Sequence, residues 1–113
     1  MNNMPPALRK ECAADPFYQK CCITGALAKN TKVEWHHNFQ FAGHQVQEKW
    51  CILPLVESVH DDIVYHKEEC DWIMLNRADE ATLKKYSRGE NLTAKRDRLN
   101  KKYGIPKRTY PMA

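Results

Sequence analysis

Two adjacent histidines, His36 and His37, and a third at His60 are the residues whose type and spacing best suit chemistry in this chain. A neutral imidazole binds divalent metals, and with an unperturbed pKa of about 6.5 it also exchanges protons near neutral pH. Neighbouring side chains on a strand point to opposite faces. A strand ending on the pair can therefore turn one ring toward a metal and the other toward a substrate. His60 can approach His36 if the intervening segment returns as a paired strand and a helix folds back across the hairpin. A site with two histidine ligands leaves its other positions to water and phosphate oxygens, the open coordination that a catalytic ion needs.

The elements that must hold these residues follow from the pattern around them. Residues 31–37 alternate, with Val33 and Trp35 on one face and Lys32, Glu34 and His36 on the other, which predicts a strand. Residues 38–47, rich in amides and containing Gly43, read as a loop of about ten residues, a length that often serves a site. Residues 49–55 read as a second strand stopped by Pro54. Trp35 and Trp50 are expected as facing core residues of the two strands, or as rings that stack on a base. From Val56 to about Cys70 the apolar residues recur at helical spacing. A short helix is expected over 79–86, and a third over 92–103, capped by Asn91 and stopped by Gly104 and Pro106. Residues 1–16, with three prolines, read as an arm or short helix packed on the body.

At 113 residues the chain has room for one domain, with 42% apolar and 28% charged residues, proportions that support a folded core. No apolar run is long enough for a membrane span, and the first ten residues lack the apolar stretch of a signal peptide. The expectation is a cytoplasmic protein with no membrane partner. Five cysteines, an odd number without a scaffold pattern, are read as reduced. Charge is uneven: residues 84–108 hold ten Lys or Arg against two acids, a local +8 within a chain of net +4. Such a basic tail suits a phosphate backbone, although a lopsided solvated helix has the same composition. Within it Lys95, Arg96, Arg98, Lys101 and Lys102 are expected to grip phosphates without reading sequence.

The order Cys22-Ile23-Thr24-Gly25, Glu34-Trp35-His36-His37, Trp50-Cys51-Ile52-Leu53-Pro54-Leu55 and His60 resembles the HNH, or ββα-metal, endonuclease family, in particular its small phage-borne members of the recombination-enhancing type. The likeness spans about residues 20–66. It implies an α+β fold with a hairpin-and-helix core, over about 17–73, and a basic helical extension over about 78–113. It further implies His36 and His60 as ligands of one divalent ion, Mg²⁺ or Mn²⁺, with His37 as the general base that activates water. DNA would be the substrate, cut to 5′-phosphate and 3′-hydroxyl ends in phage DNA processing or recombination, by a homodimer or within a larger phage complex.

Two departures stand out. Cys51 occupies the place of the family's middle Asn, so Asn38 or Gln40 is expected to substitute in holding the base. The second of the two CxxC pairs that many relatives use for a structural zinc would fall at Val56 and Val59, so no structural zinc is expected. Cys21 and Cys22 are read as core or turn residues, His66 as a surface residue on the wrong helix face, and Glu57 as solvated or as support for His60. His44 is a loop residue, exposed or near phosphate. Two rival functions remain open: a DNA-binding module that has lost catalysis, favoured by Cys51, and a structural zinc protein using His36, His60 and cysteines.

Overall fold

The computed structural model describes residues 4–105, which fold as a mixed α+β unit built on a two-stranded antiparallel hairpin with helices on both of its faces. The expected helix stop at Pro106 lies outside the described residues, as does the end of the basic tail. No helix among the described residues is long and apolar enough to cross a membrane.

Helix α1, Pro6–Ala13, starts on a proline whose missing N–H has no partner to lose there. It buries Leu8 and Cys12, one turn apart. Asp15 caps the following 3₁₀ turn, Pro16–Gln19, by accepting the Phe17 N–H at 2.9 Å. The chain then turns at Gly25, whose φ of +78° suits glycine, and enters strand β1, Val33–His37. Two very short strands, β2 (Gln40–Phe41) and β3 (His44–Gln45), pair with each other before strand β4, Ile52–Val56, returns along β1. The register sets His36 opposite Leu53 and His37 opposite Ile52.

Three expectations need correcting here. Residues 38–47 are not an open loop but a flap closed by Ala42 and Gly43, both at positive φ (53° and 82°), the signature of a tight hairpin turn. The second strand begins at Ile52, because Lys49–Cys51 tighten into a 3₁₀ turn. Pro54 also fails to stop it. Its carbonyl accepts the Cys22 N–H at 2.9 Å, away from β1, so a proline at this position removes no ladder bond.

Alternation along the hairpin builds two apolar packings. Leu53 and Leu55 join Val59, Cys70, Ile73, Met74 and Leu75 on one face, whereas Ile52 joins Met4, Leu8, Cys12 and Tyr18 on the other, with Trp35 packed against them. Trp35 meets Tyr18 edge-on at 5.8 Å, and Trp50 lies instead among Phe39 and Tyr86, so the two tryptophans do not face one another as expected. The Tyr18 hydroxyl lies 2.6 Å from the Lys49 carbonyl and 2.9 Å from that of Ile52, and accepts from buried Arg77.

The expected first helix is two. Helix α2, Glu57–Asp61, breaks at Asp62, and helix α3, Ile63–Arg77, continues past Cys70 because Ile73, Met74 and Arg77 keep the buried face going. Helices α4 (Glu80–Lys85) and α5 (Leu92–Tyr103) lie within the spans expected for them. Asp79 accepts from Thr82 N–H at 2.7 Å and Asn91 from Ala94 N–H at 3.0 Å. Leu83, Leu92 and Leu99 enter the larger core, so the C-terminal helices share it with the hairpin.

Candidate metal centre and its flanking flap

Glu34 and His36, two apart on β1, project from one face of the hairpin, and α2 brings His60 over them. The ring centres of His36 and His60 are 5.0 Å apart, with the planes inclined at 62°. His60 Nδ1 lies 2.9 Å from Glu34 Oε1, and Lys32 Nζ is 3.6 Å from the other carboxylate oxygen. The hydrogen bond from His60 is the main reason the Glu34 carboxyl sits below its usual pKa range. A carboxylate on Nδ1 fixes the ring and leaves Nε2 with the lone pair, the arrangement by which metal-binding histidines are usually held.

Burial pushes the His36 pKa down to about 4, and the neighbouring His60, Lys67 and His37 add to the effect against an opposing contribution from the Asn38 side chain. Its ring is therefore neutral and able to donate a lone pair across the physiological range. Two imidazoles bonded to one ion at about 2.1 Å, with an angle of about 90–110° between the bonds, place their centres about 4.5–5.3 Å apart. The observed separation falls in that window, although an edge-to-face ring contact has a similar distance. Among the described residues, no group of three or more His, Cys, Asp or Glu is placed to hold a metal.

His37, next along the strand, leaves β1 on the opposite face from His36, and its Nε2 is 2.9 Å from Gln47 Oε1. Neither amide expected to replace the middle Asn makes this contact. Gln40 is exposed on the flap opposite Gln45, and Asn38 is buried, donating from Nδ2 to Asp71 Oδ1 at 2.9 Å. Cys51 is fully buried, its thiol raised in pKa by burial, and its carbonyl accepts the Asn38 N–H at 2.9 Å. Asp71 is itself buried and also takes the ammonium groups of Lys67 and Lys95. His44 and Glu57 are exposed, His66 is half-buried, and Val56 and Val59 are buried apolar residues of the larger core.

The basic helix is less free than its composition implied. Lys95 reaches Asp71 at 3.0 Å and Glu90 at 3.8 Å, Arg96 pairs with Glu80 and Asp97, and Lys102 pairs with Glu68. Arg98 and Lys101 are exposed on the same helix. Glu34 and Gln47 are the two site residues that the sequence did not single out. For Glu34 a signal was present, its same-face spacing to His36; for Gln47 nothing distinguished it from the other amides of the segment. Comparison with family models, with curated proteins and with solved structures returned no match.

Proposed function

We propose that this chain is a metal-dependent DNA endonuclease of the HNH, ββα-metal type. The reading rests chiefly on the 5.0 Å approach of His36 and His60, with Glu34 held on Nδ1 of His60. These two imidazoles would hold a single Mg²⁺ or Mn²⁺, which when bound supplies Lewis-acid stabilisation of charge on the phosphate and on the leaving 3′ oxygen. Glu34 keeps His60 in the tautomer that binds, and burial keeps His36 unprotonated. His37, as general base, takes a proton from the attacking water. Phosphates flanking the cut would be held by exposed cations, Arg98 and Lys101 among them.

Supercoiled plasmid incubated with Mg²⁺ or Mn²⁺ tests the proposal. Nicking by the wild type that disappears in both His37→Ala and His36→Ala is expected, and equal nicking by His37→Ala would remove that residue as the base. One observation favours the rival, a DNA-binding module without catalysis: the residue at the place of the family's middle Asn is Cys51, whose thiol is fully buried. Tight plasmid binding with no nicking by any variant would select that reading.

A further inference from the structure

An aromatic cluster and several hydrogen bonds anchor the flap between the two long strands. Phe39 and Phe41 pack on Tyr86, at the end of α4, with ring centres 5.9 and 5.1 Å away, and Trp50 closes the cluster at 5.4 Å from Phe39. Glu48 accepts the Trp50 indole N–H at 2.9 Å and the Tyr86 hydroxyl, while Val46 N–H bonds back to the Phe39 carbonyl at 3.1 Å. Gln47 sits between Val46, which is buried, and Glu48, so its backbone is fixed on both sides. Its side chain meets His37 Nε2 at 2.9 Å.

A neutral imidazole carries its hydrogen on one nitrogen or the other, and the partner at one nitrogen decides which. We propose that Gln47 is a positioning residue for His37: its amide oxygen accepts the Nε2 hydrogen, leaving the Nδ1 lone pair to take the proton from water. The proposal rests on the nuclease reading. Gln47 would supply from the flap the constraint on the base that the buried thiol of Cys51 cannot supply. In the proton transfer the water O–H bond breaks, Nδ1 gains the hydrogen, and the resulting imidazolium keeps its Nε2–H bond to Gln47.

The test uses the full chain with ¹⁵N-labelled histidine, at about pH 8 where a free imidazole is neutral, together with plasmid-nicking kinetics. The wild type is expected to show His37 as the Nε2–H tautomer, and Gln47→Leu to lose that preference. In the same variant kcat is expected to fall at least about tenfold, part of the about 10²–10⁴-fold that a general base contributes, with KM within about twofold. Gln47→Glu keeps an oxygen acceptor and is expected to restore kcat to within about threefold. A His37 tautomer that is Nδ1–H in the wild type, or unchanged in Gln47→Leu, overturns the proposal, as does an unchanged kcat. A wild type that never nicks DNA sinks the nuclease reading, and the Gln47 role with it. That failure is recognisable because the tautomer preference would still be present.

Discussion

The histidine pair was legible from spacing because a strand, a return strand and a helix leave few ways to bring two rings from so far apart in sequence into contact. What spacing could not show was the partner of each ring. Glu34 is an alternating polar residue in a strand until α2 places His60 2.9 Å from its carboxylate. Outer partners of this kind typically change metal affinity by about 10–100-fold. If His36 and His60 hold a metal as proposed, Glu34→Ala is therefore expected to weaken Mn²⁺ binding by about that factor in calorimetric titration, with the fold intact by circular dichroism. Affinity equal to wild type would mean that His60 needs no such support.

Helix α5 was readable in advance because Asn91 acts on an N–H group three residues away, whereas α4 was expected only as a span, and its cap, Asp79 on the Thr82 N–H, emerges from the fold. The 3₁₀ turn at Lys49–Cys51 was not readable, since Trp50 and Cys51 run on into Ile52 and Leu53 as the continuous apolar stretch of a buried strand would, and only distant contacts select the tighter turn. Those contacts come from the N-terminal arm: Tyr18 lies 2.6 Å from the Lys49 carbonyl, and Asp15 pairs with the buried Lys49 ammonium at 3.0 Å. Tyr18→Phe leaves Arg77 without its acceptor and removes the one hydroxyl hydrogen that the Lys49 and Ile52 carbonyls share, and is expected to cost about 1–3 kcal/mol in urea unfolding. A cost near zero would show that water replaces the hydroxyl.

Acid should loosen the same junction. Burial opposes ionisation of Asp15, but the Phe17 N–H and Lys49 outweigh it and hold the carboxyl below its usual range. A depressed carboxyl pKa contributes stability that is present above the unfolded value of about 3.9 and is lost as pH falls through the lower folded value. The urea midpoint of the wild type should thus drop more steeply below about pH 4 than that of Asp15→Asn. Parallel curves would assign the acid sensitivity elsewhere.

For the molecule as a whole, composition announced a basic tail but concealed how much of it is answered internally. Besides the nearby Asp97 and Glu90, the acids that meet Arg96, Lys95 and Lys102 are Glu80, Asp71 and Glu68, sixteen to thirty-four residues away in sequence, beyond what a charge count along the chain can pair. If the chain grips DNA as proposed, the exposed cations should carry the electrostatic part of that grip. Replacing Arg98 and Lys101 with Ala is expected to reduce the magnitude of the log–log salt slope of binding by about two, close to one per phosphate contact. Lys95→Ala is expected to lower stability by breaking its contact with buried Asp71. If the slope is unchanged in the double variant, the footprint lies on another face.

The bond from Tyr86 to Glu48 makes α4 a strut beneath the segment that carries Gln47. Trimming the chain after residue 78 would remove that strut together with the leucines it stands beside, exposing core surface and loosening the flap at once. The hairpin and its helix are consequently not an excisable cassette. Any engineered exchange of the C-terminal portion would have to bring a replacement brace of its own.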